Sequence, residues 1–193
     1  MKPIKILSCI VLLLFAGIFT LWKCYTPNLE EKDYINNVQA ASYQNDSTVI
    51  VLDAGHGGYD NGSLAYDGTK EKDITLAITL LVGEYLNNAG YQVVYTRTSD
   101  EVIWSNDILD DLSTRVQIAE DVNADYFISI HLNAGQYGDD ARGFEAYTDF
   151  EDEEILHMIE SIEENLTQLS YTQNRDIKST EESSLYVIDK NSI

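Results

Sequence analysis

Val49-Ile50-Val51-Leu52-Asp53-Ala54-Gly55-His56-Gly57-Gly58 is the stretch that decides the fold. Its first four residues are wholly apolar, as a strand covered on both faces requires; a half-exposed strand would alternate. The run then passes into a glycine-flanked histidine, where the glycines let the backbone turn sharply and approach a ligand. Downstream, Ile74, Ala77, Ile78, Leu81 and Tyr85 recur at helical spacing, and Gly90 is placed to stop that helix. Tyr91–Thr96 reads as a second strand, and Leu112, Val116 and Ala119 as a second helix behind the candidate caps Asp110 and Asp111. Tyr126–Ile130 and Phe144–Tyr147 read as further strands. Ile155, Met158, Ile159, Ile162, Leu166 and Leu169 mark a long amphipathic helix with an acidic outer face, and Leu185–Ile188 a last short strand. This alternation predicts an α/β fold over residues 48–193, a mostly parallel sheet with helices on both faces in three layers, α/β/α.

Upstream of that domain, Lys2 and Lys5 precede an uncharged, apolar run from Ile6 to Trp22. About 17 to 25 residues span a bilayer as a helix, which puts the run at the short end of the range. Basic residues ahead of it favour export of the chain on its C-terminal side. No small-x-small cleavage site lies close behind it: Trp22-Lys23-Cys24-Tyr25 is bulky and Val38-Gln39-Ala40 comes late. The expectation is therefore a membrane anchor over residues 1–22, with a cleaved signal sequence as the rival, and a flexible tether over residues 23–47. Either way the domain lies outside the cytoplasm.

The 193 residues carry 12 Lys+Arg against 33 Asp+Glu, a formal charge of -21. Four bases and four acids up to Asp46 cancel, so the whole acidic excess falls on the domain. A nucleic-acid partner is excluded on that ground, because it needs a basic surface to displace counterions from phosphates. The two cysteines, Cys9 and Cys24, both precede the domain, so it has neither a disulfide framework nor a thiolate metal site.

Two of the three histidines, His56 and His131, directly follow expected strands. Ligands of open α/β sheets sit at the carboxyl ends of strands, so both side chains should meet there. Glu71, opening the first helix in Glu71-Lys72-Asp73, is a carboxylate within reach of the same crevice. Two imidazoles and a carboxylate with an open fourth position form a known catalytic zinc arrangement, which polarises carbonyls and acidifies water. The bland alternative stands beside it: each histidine is structural, and Glu71 is a first-turn acid that suits the helix dipole. Asn133 either lines the crevice as a substrate contact or caps a turn. Arg97 and Arg115 either orient substrate carboxylates or pair with neighbouring acids. His157 falls off its helix's apolar stripe and is expected to be solvent-exposed, and the acidic run Asp149–Glu154 is a solvated helix start.

Val51-Leu52-Asp53-Ala54-Gly55-His56-Gly57-Gly58, Glu71-Lys72-Asp73-Ile74-Thr75-Leu76 and Ser129-Ile130-His131-Leu132-Asn133-Ala134 together resemble the zinc-dependent N-acetylmuramoyl-L-alanine amidases, bacterial cell-wall hydrolases. Gly143-Phe144-Glu145-Ala146-Tyr147 and Asn174-Arg175-Asp176-Ile177-Lys178 match in order and approximate distance. The resemblance implies that His56, Glu71 and His131 bind Zn2+. It also implies that the substrate is peptidoglycan, cleaved between N-acetylmuramic acid and the L-alanine of the stem peptide. In that family a further strand carries a glutamate held to act as general base, at a position beyond Ile193. On this expectation the catalytic base has no counterpart in the sequence, the sheet lacks its last strand, and nothing places Glu145 beside the metal instead. The alternative function is then an impaired module that binds zinc and wall without efficient hydrolysis.

Overall fold

The computed structural model describes residues 47–133, 143–148, 153–168, 173–179 and Val187. The expected anchor and nearly all of the tether, at residues 1–46, lie outside the described residues, as do Leu169 and Asp149–Asp152. No helix among the described residues is long and apolar enough to cross a membrane. The chain divides into two compact units, residues 47–133 falling in one and the described residues from Gly143 to Val187 in the other.

The first unit holds strands β1 (Val49–Ala54), β2 (Gln92–Tyr95) and β3 (Tyr126–Ile130) and helices α1 (Glu71–Asn88) and α2 (Ile108–Asp121). The strands form a sheet in the order β2-β1-β3, both pairings parallel. All six residues of central β1 are buried, so the apolar run is covered on both faces as expected. Val49 and Val51 pack against Ala119 and Val122 at the end of α2, with Val94 and Phe127 beside them. Leu52 belongs to the opposite alternation, and its register partner Tyr95 lies against Gly83 of α1. The two helices thus cover opposite faces of this sheet.

Two details differ from the sequence expectation. The most buried positions of α1 are Glu71, Lys72, Thr75, Thr79 and Gly83, four of them on a four-residue repeat, while Ile74, Ala77, Ile78, Leu81 and Tyr85 are only partly buried. Small side chains let the helix come close to the sheet, near enough for the Thr75 hydroxyl to donate to the Gly55 carbonyl at 2.8 Å. Asp110 and Asp111 are not the cap of α2. That role falls to Asp107, whose carboxylate accepts the N–H groups of Leu109 and Asp110 at 2.9 and 3.1 Å. Asp110 instead accepts from Ser105 N–H at 2.7 Å, and Asp111 is buried against Arg115.

The second unit holds β4 (Phe144–Thr148), α3 (Glu153–Gln168) and β5 (Asn174–Ser179), with β4 and β5 paired in parallel. Ile159 and Leu166 are the buried residues of α3, and His157 projects into solvent. Glu145 on β4 is partly buried and contacts Lys178, Arg175 and the Tyr147 hydroxyl, the Arg175 contact spanning 3.5 Å. β5 has no apolar alternation to announce it. Of the expected last strand Leu185–Ile188, only Val187 lies within the described residues; it is buried and helical rather than extended.

Asp53 is fully buried on β1, where an ionised carboxylate needs partners. Burial is the largest single influence and would raise its carboxyl, and the charge of Arg115 is the first of several that oppose it. With hydrogen bonds from Ser129, Thr96 and Arg115, that charge holds the group below the ordinary 3.8. Asp53→Asn removes one of the two acids that pair with Arg115 in the interior and leaves Asp111, with an expected loss of about 1.5–3 kcal/mol in unfolding free energy. Because the folded value is depressed, the stabilisation from Asp53 is complete above 3.8 and is lost as pH falls through the lower, folded value. Urea titrations of wild type and variant check both effects, and their stability gap should narrow below pH 3.8.

Candidate metal centre

The crossing from β1 into the following loop is held by two arginines rather than by the strand ladder alone. Arg97 donates to the carbonyls of Ala54, Gly55 and Lys72 at 2.9, 3.0 and 2.8 Å. Arg115 donates to the carbonyls of Ala54 and His56 at 3.0 and 2.9 Å, and to Asp53 and Asp111 at 2.7 and 2.5 Å. Both are buried, and the Arg115 guanidinium stacks 4.3 Å from the Trp104 ring centroid. Burial and neighbouring Arg115 bring the Arg97 guanidinium down to about 10, which leaves it protonated at neutral pH. Burial works against Arg115 too, but Asp53 and Asp111 raise it. Of the two alternatives for these residues, Arg115 pairs with acids. Arg97 does neither of the expected things: it satisfies main-chain carbonyls.

This grip places His56 in the left-handed region, at φ 62°. Its ring turns towards Glu71, the first residue of α1, and towards His131, which follows β3. His56 Nε2 lies 3.0 Å from Glu71 Oε1, His131 Nδ1 lies 3.2 Å from the same oxygen, and the two ring nitrogens are 3.1 Å apart. Three donors converge on one point, each facing the other two. In a tetrahedral site with bonds of about 2.0–2.1 Å the donor atoms are roughly 3.3 Å apart, so the triangle matches the ligand set that zinc takes. Among the described residues this is the group of His, Cys, Asp and Glu side chains arranged to hold a metal ion.

Glu71 is a first-turn acid of α1, as the alternative has it, but it is buried and held by partners from other segments. Its side chain is 4% exposed, Oε2 accepts Ser63 N–H at 2.9 Å, and Oε1 accepts Leu132 N–H at 2.8 Å. Burial opposes ionisation, but hydrogen bonds from His131, His56 and these two amides hold the carboxyl far below its ordinary value. Exposure is graded across the triangle, from Glu71 through His56 at 21% to His131 at 46%. Asn133 is exposed two residues beyond His131. Lys72, the buried neighbour of Glu71, donates to the Gly58 carbonyl and to Asp100, both at 2.8 Å, joining the loops after β1 and β2.

Asp60 escaped the sequence reading. It is four residues from His56, and its Oδ2 lies 2.6 Å from His56 Nδ1. Burial opposes the shift, but the His56 and Gly62 hydrogen bonds hold its carboxyl below the ordinary value. Burial likewise opposes protonation of His56, while Glu71 and Asp60 raise it. The signal available was an acid at short range after a glycine pair, a pattern too common to single out.

An α/β domain with a two-histidine, one-carboxylate triangle at the ends of parallel strands is a metallohydrolase-like arrangement. The family model described as N-acetylmuramoyl-L-alanine amidase (Amidase_3) matches residues 50–193, and the chain belongs to that family. The uncharacterized protein YqiI of Bacillus subtilis (strain 168) is 36% identical over 141 residues, covering 72% of this chain and 62% of the relative. The N-acetylmuramoyl-L-alanine amidase AmiA of Escherichia coli (strain K12) is 35% identical over 138 residues, covering 68% of this chain and 45% of AmiA. The chain therefore spans about half to three-fifths of the length of these two relatives. Among solved structures, the CwlD amidase from Clostridioides difficile, in complex with the GerS lipoprotein, superposes with a TM-score of 0.68. It is 32% identical, with 76% of this chain and 78% of that one covered.

Gly55 has no room for a side chain, because a Cβ there would enter the His131 ring. Gly55→Ala is expected to push His131 out of the triangle. The ring centroids of His56 and His131 are 4.7 Å apart, which should give imidazole cross-relaxation in the wild type by NMR and none in the variant.

Proposed function

We propose that residues 48–193 form a zinc-dependent N-acetylmuramoyl-L-alanine amidase domain of three layers, α/β/α. Its reaction is hydrolysis of the amide between the lactyl group of N-acetylmuramic acid and the L-alanine of the peptidoglycan stem peptide. The observation that carries this reading is the donor triangle of His56 Nε2, Glu71 Oε1 and His131 Nδ1 within a domain of the amidase family. These three residues would hold Zn2+, which when bound supplies Lewis acidity towards the amide carbonyl and towards water. The chain's own groups do the rest. Glu71, held ionised by the Ser63 and Leu132 amides, offsets part of the cationic charge without drawing on water. His131 and Asn133 stand at the exposed side, where the Asn133 amide can donate to and accept from the polar groups of a muropeptide.

No described residue takes the general-base role in this proposal, since Glu145 is engaged by Lys178 and Arg175. The same reading sets the domain at the cell wall, outside the cytoplasmic membrane. Residues 1–22 would be its anchor or signal sequence and residues 23–47 its tether, on the strength of the basic, then apolar, N-terminal sequence.

A muropeptide digest tests the proposal. Zinc-loaded protein should release peptides with free L-alanine amino termini and no new reducing sugar ends, and a chelator should stop the release. His56→Ala and His131→Ala should each lower the rate by more than about 100-fold, beyond the loss typical of second-layer changes. Chelator-resistant release, or full activity in both variants, would sink the metal assignment. Zinc retained without release would favour the alternative of a zinc- and wall-binding module.

A further inference from the structure

We infer that Asp60 is the positioning residue that decides which ring nitrogen His56 offers to a metal, an inference that rests on the zinc reading of the triangle. An ionised carboxylate only accepts hydrogen bonds. With Asp60 Oδ2 at 2.6 Å, Nδ1 of His56 is therefore the nitrogen that carries hydrogen. In the neutral ring the lone pair then sits on Nε2, the atom that faces Glu71 and His131.

Asp60 is itself immobilised. Its Oδ1 accepts Gly62 N–H at 2.9 Å, and its backbone exchanges two hydrogen bonds with Gly57, at 2.9 and 3.0 Å. These contacts hold the carboxylate in the orientation that faces His56. Gly62, at φ 64°, closes the other side of the ring: a Cβ there would lie 2.6 Å from His56 Cδ2 and 2.8 Å from Glu71 Cβ. The turn from Gly57 to Gly62 thus works as a clamp that sets both the tilt of the imidazole and its tautomer. Neither feature involves Asp60 as a ligand.

The roles of orienting acid and mere loop fastener predict opposite orders of damage in two variants. In Asp60→Asn the amide oxygen stays on Gly62 N–H, so the NH2 group faces His56 Nδ1. The ring must then accept there and carry its hydrogen on Nε2, where it blocks the ligand position. In Asp60→Ala both side-chain bonds are lost, but water can take the place of the carboxylate at Nδ1 and the tautomer is free. Zinc dissociation constants, measured on the full chain by competition with a chromophoric chelator, should rise about 10–100-fold in Asp60→Asn and less in Asp60→Ala. Thermal midpoints of the metal-free proteins should fall more for Asp60→Ala than for Asp60→Asn. Equal zinc affinity in all three proteins, or a larger loss for Asp60→Ala than for Asp60→Asn, would overturn the inference. A wild type that binds no zinc would overturn the metal reading itself, a result distinct from either.

Discussion

Everything at this site depends on two guanidinium groups that grip the end of a strand. The carbonyls of Ala54, Gly55 and His56 leave the ladder at the edge of the core, where an unpaired carbonyl is costly. Arg97 and Arg115 meet all three between them. A left-handed, non-glycine residue costs on the order of 1–3 kcal/mol and persists only where its surroundings over-determine it. Here the surroundings do so, and the strained residue is the one whose ring must turn back towards the helix start. Asp53 and Asp111 balance the charge of Arg115 in the interior. Arg97 is stabilised differently, by carbonyl dipoles, and burial and Arg115 accordingly lower its proton affinity.

Glu71 shows how little of the triangle is local. It opens α1, where the helix dipole already favours negative charge. Its two oxygens nevertheless take amides from separate segments, Ser63 in the loop before the helix and Leu132 after β3. A single carboxylate therefore ties three stretches of chain together, and the loops cannot drift apart without exposing a charge that burial has made expensive. Lys72 repeats the arrangement one residue on, with Gly58 and Asp100.

The parts of this architecture governed by periodicity were readable from the chain. The apolar run Val49–Leu52, the stripe Val116–Ala119 and the histidines directly after strands each obey a rule that residue types reveal. What escaped was set by contacts between segments. The face of α1 against the sheet is made of Thr75, Thr79 and Gly83, because closeness to Tyr95 counts for more there than hydrophobicity. Asp107 outcompetes Asp110 and Asp111 as a cap because those two are drawn away to Ser105 and Arg115. β5 is Asn-Arg-Asp-Ile-Lys-Ser, a strand recognisable only by its partner β4. Asp60 belongs with these: its bond to His56 is drawn across a turn whose shape no pattern of residue types encodes.

The gradient of exposure across the triangle separates two properties of a bound ion that are usually discussed as one. The carboxylate at the bottom and the clamped imidazole beside it are the rigid donors, so they would set how tightly an ion is held. His131, almost half exposed, is the one donor on the solvent side. Solvent would reach an ion held as proposed past that ring, and past the carboxylate hardly at all. Solvent access and rigidity would then answer to different residues of the same triangle.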